Sequence, residues 1–330
     1  MSQRVRITDV SPRDGLQNEP GVIPASDKAR LVELLCGTGV DEIEVASFVS
    51  PRWVPQLGDG AEVLAALAAR FPAGSQRPMF SALVPNEKGL DGALAVNGAA
   101  GRPLLEKISL FTAASETFSR RNTNASIAET FERFAPVLDR AALAGLRVRL
   151  YISCVVACPF EGPIVPDTVA AVARQGLLAM LRAHSGRPGD APGIPGIEID
   201  LGDTIGAATP ETIAPVIERT LAVPEWGCTR GLDAGLVLHL HDTFGRAASC
   251  VVRALSLGVR SFDSAAGGLG GCPYASTPGR RAPGNIATGT LVRAIRDAGF
   301  EAGIDDAALA RASEFAASLA ARRPLGEGAS

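Results

Sequence analysis

Two hydrophobic periods alternate along the chain and predict its secondary structure. Short apolar runs suited to buried strands are separated by longer stretches in which apolar residues recur every three or four positions, as on one face of a helix. The short runs predict eight strands, at residues 5–10, 41–47, 79–84, 106–111, 147–153, 196–200, 236–241 and 261–264. Eight strands alternating with helices favour an α/β fold, a (β/α)₈ or TIM barrel, over a doubly wound sheet.

Capping residues indicate where several of the predicted helices begin. Ser126 precedes an amphipathic run, and Glu129, three positions later, completes a capping box. Thr209 stands before a proline at the first position of another helix. Ser26 is expected to cap the first helix.

The length and composition of the chain fit one large barrel. Of its 330 residues, 46% are apolar and 20% are charged, which allows a sizeable core. We expect a single catalytic domain over residues 1–330. The barrel would occupy about 5–300, followed by an additional C-terminal helix at about 304–323.

The charge balance argues against nucleic-acid and membrane partners. The chain has 32 Lys and Arg against 35 Asp and Glu, a net charge of −3, with no basic run. No apolar stretch approaches the ~18 residues of a membrane span, and the first predicted strand leaves no room for a signal peptide. Six thinly spread cysteines indicate reduced thiols. We therefore expect a cytoplasmic protein.

Two of the three histidines lie on the seventh predicted strand. His239 and His241 are two positions apart, so a strand points both to the same side. An imidazole buried there without a partner would cost on the order of 1–3 kcal/mol. A shared divalent metal would supply that partner, and so would a hydrogen-bonded pair near the strand end. The strand alone leaves both interpretations open.

In a (β/α)₈ barrel the catalytic groups lie at the C-terminal ends of the strands and in the loops that follow. The polar residues at those positions are Arg13, Asp14, Gln17, Glu44, Ser47, Asn86, Asp203, Thr204, His239, His241, Cys272 and Asn285. Four of them offer donors suited to a hard divalent ion and leave positions open for substrate, namely Asp14, His239, His241 and Asn285.

Arg13 and Cys272 are further candidates for chemistry. Arg13 is a fixed cation that could face an oxyanion on the substrate, or it could form a surface ion pair with Asp14. Cys272 follows a glycine-rich run that could act as a flexible lid carrying a thiol, or it could be a small hydrophobe. Asp203 could instead cap a helix.

Four segments of the chain closely resemble 3-hydroxy-3-methylglutaryl-CoA (HMG-CoA) lyases. They are SPRDGLQNE at 11–19, EVASFVSPRWVPQ at 44–56, LGDTIG at 201–206 and GGLGGCPYA at 267–275. The resemblance extends over about residues 5–310. These lyases belong to a superfamily of metallolyases that are built on a TIM barrel with a His-x-His strand.

The resemblance implies a retro-Claisen cleavage of HMG-CoA to acetyl-CoA and acetoacetate. It implies one Mg²⁺ or Mn²⁺ ion held by Asp14, His239, His241 and Asn285. It also implies a set of catalytic residues, Arg13, Asp14, Glu44, His239 and Cys272. In that set Arg13 would stabilise the enolate and Cys272 would protonate it, while Asp14 and His239 are both candidates for the base.

The same resemblance implies how the substrate and other partners are bound. The residues matching the substrate site are Arg13, Gln17, Ser47, Asn86, Asp203 and Thr204. The partner would be a small acyl-CoA molecule, and the protein would be a homodimer.

Three departures from the family pattern leave alternatives open. The loop between Cys272 and Asn285 is longer than in these lyases, Ala208 stands where the family more often has Gly, and Asp200 replaces a usually small, uncharged residue. The changes at Ala208 and Asp200 could reshape the expected pocket floor. A related lyase for another 3-hydroxy-3-carboxymethyl acyl-CoA is therefore an alternative. Claisen-condensing synthases and ketoacid aldolases share the barrel and the histidine pair, but Cys272 argues against them. A non-enzymatic barrel or binding protein with a vestigial site is a third alternative. Such a protein would be expected to have lost some of the residues Arg13, Asp14, His239, His241 and Cys272, all of which are present.

Overall fold

The computed structural model of the protein describes residues 4–184, 196–229, 235–271 and 283–321, and it contains a closed barrel of eight parallel strands. The strands are β1 Arg6–Asp9, β2 Glu42–Ser47, β3 Met79–Leu83, β4 Lys107–Ala113, β5 Arg147–Ser153, β6 Ile197–Asp203, β7 Gly235–Leu240 and β8 Ser261–Ser264. Neighbours follow chain order, and pairing of β1 with β8 closes the ring. All eight predicted strands and the (β/α)₈ class are confirmed.

Helices follow each strand and cover the outside of the barrel. They are α1 Ala25–Cys36, α2 Gly60–Arg70, α3 Glu87–Ala100, α4 Glu116–Thr123, α5 Ile127–Leu143, α6 Pro166–His184, α7 Pro210–Leu221, α8 Ala247–Ser256 and α9 Thr288–Asp297. The predicted capping box of Ser126 at α5 and the Thr209 cap of α7 are confirmed. The cap predicted at Ser26 is wrong, because α1 already begins at Ala25, where the extended backbone of Pro24 ends.

A tenth helix, α10 at Asp306–Ala320, is the predicted additional C-terminal helix. The side chain of Asp305 caps it by accepting a hydrogen bond from the Ala308 backbone (2.9 Å). The helix packs against α1, α9 and the turn after β8. Residues 322–330 lie outside the described part, so a single domain over the whole chain stays a prediction. No helix in the described ranges is long and apolar enough to cross a membrane.

Charged side chains fill the inside of the barrel, whereas the side chains between the strands and the surrounding helices are apolar. Arg149 on β5 is 1% exposed and donates to Glu198 (2.7 Å) and Asp263 (2.8 Å). Lys107 on β4 donates to Glu42 (2.5 Å) and Glu198 (2.8 Å). We call the buried set Glu42, Lys107, Arg149, Glu198, Asp200 and Asp263 the interior charge network. Buried charges are tolerated when they are paired in this way.

Candidate metal and substrate site

A short π-helical turn, Ser11–Gly15, directly follows β1 and carries two charged residues of the candidate site. π-Helical turns are rare in proteins, and those that occur are often found at functional sites. Asp9 at the end of β1 holds the turn in place. Its carboxylate accepts hydrogen bonds from the backbone N–H of Ser11 (2.9 Å) and from that of Ala266 after β8 (3.0 Å). The turn is therefore tied to both strands that close the barrel.

Arg13 is a buried cation with a fixed orientation. Its Nε donates to Glu44 (2.5 Å), its Nη1 donates to Asp14 (2.6 Å), and its guanidinium lies over the Tyr151 ring, 5.4 Å from the centroid. Burial lowers the pKa of Arg13, but the two carboxylates raise it well above its usual value, so the group stays charged. Arg13 does pair with Asp14, but Arg13 is buried and Asp14 is only partly exposed, so the two do not form a surface ion pair.

Asp14, His239 and His241 form a group of metal-ligand type, whose donor atoms all lie within 4.8 Å of one another. The two histidine Nε2 atoms are 3.3 Å apart, and Asp14 Oδ2 lies 4.0 Å from Nε2 of His239. Neighbouring ligands of an octahedral divalent ion are about 3 Å apart. Burial and the neighbouring His239 lower the pKa of His241 to about 4. A carboxylate and two imidazoles at these distances fit one hard divalent ion, and we call this group the donor cluster.

Asn285 lies beside the donor cluster, on a segment that pairs with the end of β7. Residues His241 and Asn285 form an antiparallel bridge. The Asn285 amide nitrogen donates to Asp14 Oδ2 (2.8 Å) and to the Leu269 carbonyl (3.0 Å). Asn285, the predicted fourth metal ligand, is therefore in direct contact with Asp14, another predicted ligand.

The glycine run before Cys272 packs tightly against this site. Gly270 has φ +98°, and a Cβ there would lie 2.5 Å from the Asn285 amide nitrogen and 3.4 Å from Asp14 Oδ2. A Cβ on Gly284 would lie 2.0 Å from the Gly270 carbonyl oxygen. The glycines in residues 267–271 thus let the backbone pass close to Asn285 and Asp14. The interpretation of this run as a flexible lid did not include that role. Cys272 itself lies outside the described residues.

A cavity of about 650 Å³ opens at the C-terminal ends of the strands. The predicted site residues that line it are Arg13, Asp14, Gln17, Asn86, Thr204, His239 and His241. It also has an apolar wall, which we define as Leu83, Phe111, Phe118, Phe134 and Ile152. The donor cluster comes from the turn after β1 and from the end of β7 with the residue that follows it. The apolar wall comes from β3, β4, β5 and the helices that follow β4.

Three other predicted residues lie behind the cavity lining and contact protein groups. Glu44 accepts hydrogen bonds from Arg13. Ser47 Oγ accepts from the Val49 backbone (3.1 Å). The Asp203 carboxylate accepts from the Ala207 (3.0 Å) and Ala208 (2.9 Å) backbones in the loop before α7. The helix-cap alternative for Asp203 is wrong, because the cap of α7 is Thr209. Burial raises the pKa of Asp203 to about 6, although these amides oppose the shift.

Sequence reasoning missed two polar residues of the site, Tyr151 and Asp263. Asp263 on β8 is fully buried, and its Oδ2 lies 3.2 Å from His239 Nδ1 and 3.0 Å from the Tyr151 hydroxyl. A signal was present, because polar residues alternate with apolar ones along β5 and β8. That alternation places polar side chains on the inner face of the barrel.

Comparison with known families distinguishes a lyase from the synthase, aldolase and non-enzymatic alternatives. The HMGL-like family model matches residues 4–316 of this chain. The chain belongs to the HMGL-like family. Lyases of the HMGL-like family are divalent-metal dependent in general, which agrees with the donor cluster.

Relatives in the HMGL-like family match nearly the whole chain. It is 43% identical to hydroxymethylglutaryl-CoA lyase of Pseudomonas mevalonii, covering 94% of this chain and 90% of that protein. It is 40% identical to 3-hydroxy-3-isohexenylglutaryl-CoA/hydroxy-methylglutaryl-CoA lyase of Pseudomonas aeruginosa, covering 95% and 92%. The crystal structure of HMG-CoA lyase from Brucella melitensis superposes with a TM-score of 0.81 at 39% identity, covering 97% and 99%. The chain is accordingly a carbon–carbon lyase that acts on an acyl-CoA.

Proposed function

We propose that the chain cleaves HMG-CoA to acetyl-CoA and acetoacetate. The observation that carries the proposal is the convergence of the donor cluster with the buried Arg13 cation at one side of the cavity. The HMG-CoA lyase relative with 43% identity over 94% of the chain supports the choice of substrate. A cation and a metal site side by side suit a reaction that develops negative charge on two substrate oxygens.

The donor cluster would hold Mg²⁺ or Mn²⁺, with Asn285 as the fourth ligand. Carboxylate, imidazole and amide donors of this kind suit either ion. When bound, the ion would lower the pKa of the substrate's tertiary hydroxyl and orient that hydroxyl beside the neighbouring carboxylate.

The protein's own groups would carry the proton transfers and stabilise the enolate. Asp14 and His239 stay the two candidates for the base that takes the hydroxyl proton, and a His239 that coordinates the ion through Nε2 would leave that role to Asp14. The C2–C3 bond then breaks, C3 becomes a ketone carbonyl, and the electron pair passes to the thioester as an enolate. Arg13 would face that enolate oxygen. Cys272 stays the predicted donor of the proton that returns to C2.

The remaining predicted residues divide into contact and support roles. Gln17, Asn86 and Thr204 line the cavity and would contact the substrate. Ser47 and Asp203 would act by holding the loops after β2 and β6. Glu44, counted with the catalytic residues, would orient Arg13. The homodimer and the cytoplasmic location also stay predictions.

Metal removal tests the proposed function directly. We expect acetyl-CoA and acetoacetate to be released from HMG-CoA with Mg²⁺ or Mn²⁺, to fall to background with EDTA, and to recover with excess ion. The His239→Ala variant should lose metal-dependent release. The matched control is His184→Ala at the C-terminal end of α6, which should keep it. Release that persists in EDTA, or no release by the metal-loaded protein, contradicts the proposal.

The apolar wall favours a second substrate class for the same reaction. A C3 methyl group is small, whereas three phenylalanines line the wall. The Pseudomonas aeruginosa relative is named for both the methyl and the isohexenyl substrate. We propose that this chain also accepts a longer apolar substituent at C3.

A substrate series tests this breadth. We expect measurable kcat/KM for both HMG-CoA and 3-hydroxy-3-isohexenylglutaryl-CoA. Filling the wall with Phe111→Trp should lower kcat/KM for the longer substrate by about 10-fold or more, and much less for HMG-CoA, which serves as the internal control. An equal decrease for both substrates, or no cleavage of the longer one by the unmodified protein, rejects the second class.

A further inference from the structure

Asp263 contacts the side of His239 that faces away from the donor cluster. Nε2 of His239 lies 3.3 Å from His241 Nε2, whereas Nδ1, on the other side of the ring, lies 3.2 Å from Asp263 Oδ2. Asp263 is not a member of the donor cluster. Its carboxylate therefore meets the one imidazole nitrogen that a metal at the cluster would leave free.

Asp263 is itself held rigidly by the barrel interior. Its Oδ1 accepts a hydrogen bond from Arg149 Nη1 (2.8 Å), and its Oδ2 accepts one from the Tyr151 hydroxyl (3.0 Å). Because Arg149 and Tyr151 both donate to it, the carboxylate is held as a hydrogen-bond acceptor beside the ring.

A carboxylate in this position selects one tautomer of the imidazole. Coordination through Nε2 requires a free electron pair there, so the ring proton must be on Nδ1. An ionised carboxylate can only accept hydrogen bonds and therefore stabilises the Nδ1–H form. We propose that Asp263 is a positioning residue that holds His239 in the tautomer and orientation needed for metal binding. The inference rests on the proposed metal site.

The substitution Asp263→Asn tests this role because it preserves the shape of the side chain but replaces the acceptor facing His239 Nδ1 with a donor. Arg149 can only donate, so the new amide oxygen would face Arg149. The amide nitrogen would then face His239 Nδ1 and require an acceptor there. The ring proton would be shifted to Nε2, where it blocks coordination.

Metal affinity is the first measurement, by titration of Mn²⁺ followed with electron paramagnetic resonance. Asp263→Asn should weaken Mn²⁺ binding by about 10- to 100-fold, as removal of such supporting carboxylates does. Asp200→Asn is the matched control, because Asp200 lies 3.6 Å from the same Arg149 nitrogen, is equally buried and interacts with Asp263 itself, whereas the described residues show no contact of Asp200 with His239. The control should bind Mn²⁺ within about twofold of the unmodified protein.

The tautomer of His239 is the second measurement, and a purely structural role would not change it. The chain has three histidines, so nitrogen-15 NMR of labelled histidine can resolve the His239 ring. We expect Nδ1–H in the unmodified protein and in Asp200→Asn, and Nε2–H in Asp263→Asn. Folded Asp263→Asn with unchanged Mn²⁺ affinity and an unchanged tautomer would overturn the inference.

Two further outcomes are also decisive. If Asp263→Asn does not fold, Tyr151→Phe removes one hydrogen bond to the carboxylate and should weaken Mn²⁺ binding by about 3-fold or more. Unchanged affinity in that variant would reject the positioning role. Failure of the unmodified protein to bind Mn²⁺ would reject the metal site itself, and with it the proposed function.

Discussion

Replacing Arg13 with Met is expected to lower kcat for HMG-CoA cleavage by about 100-fold or more. The enolate charge that Arg13 would face is absent from the ground-state substrate and develops as the C2–C3 bond breaks. A group that acts on that charge affects kcat much more than KM. Arg13 is also 6% exposed and fixed by Glu44 and Asp14, so it needs little reorganisation during the reaction.

Steady-state kinetics at saturating metal would measure this loss, with two comparisons. Arg13→Lys keeps the charge but loses the two-pronged geometry, so its kcat should lie between those of the Met variant and the unmodified protein. Mn²⁺ affinity should remain measurable in both variants, because Arg13 donates to the cluster but does not belong to it. Near-normal turnover by Arg13→Met would exclude a role in stabilising the enolate.

Replacing Arg149 with Met is expected to lower the free energy of unfolding by about 3–5 kcal/mol. The substitution would leave Asp263 buried without its arginine partner and Glu198 with Lys107 as its remaining buried cation. Uncompensated buried charges are among the largest single causes of instability. Urea unfolding of the metal-free protein, followed by circular dichroism, gives the change without a contribution from metal binding.

Arg140→Met is the control for the stability prediction. Arg140 pairs with Asp91 at 2.6 Å, but the two side chains are 37% and 61% exposed. Solvent-exposed pairs contribute about 1 kcal/mol or less. Equal effects of Arg149→Met and Arg140→Met would mean that the interior charge network contributes no more than a surface ion pair.

The fold and the centre of the site could be predicted from sequence because both depend on simple geometry. Each strand was found from a local apolar run. Once eight parallel strands close, their C-terminal ends meet at one end of the barrel, whatever the details of the loops. That rule was sufficient to bring Arg13 and Asp14 together with His239 and His241.

The supporting contacts could not be predicted, because they depend on partners far away along the chain or on loop conformation. Arg149 and Asp263 are 114 positions apart. Asp200 was expected at the pocket floor, but it is fully buried and lies within the interior charge network, outside the cavity lining. The hydroxyl of Ser47 and the carboxylate of Asp203 contact backbone amides that only the folded loops bring near.

The interior charge network also has a consequence for how the chain folds. Lys107 on β4 is paired with Glu42 on β2 and with Glu198 on β6, and the acceptors of Arg149 come from β1, β2, β6 and β8. Neither half of the chain contains all the partners of its own charges. A half-barrel would therefore keep unpaired charges on the surface it needs to bury, which disfavours partly assembled intermediates. Closure of the last strands gives both buried cations their carboxylate partners in one step, which favours cooperative folding of the barrel.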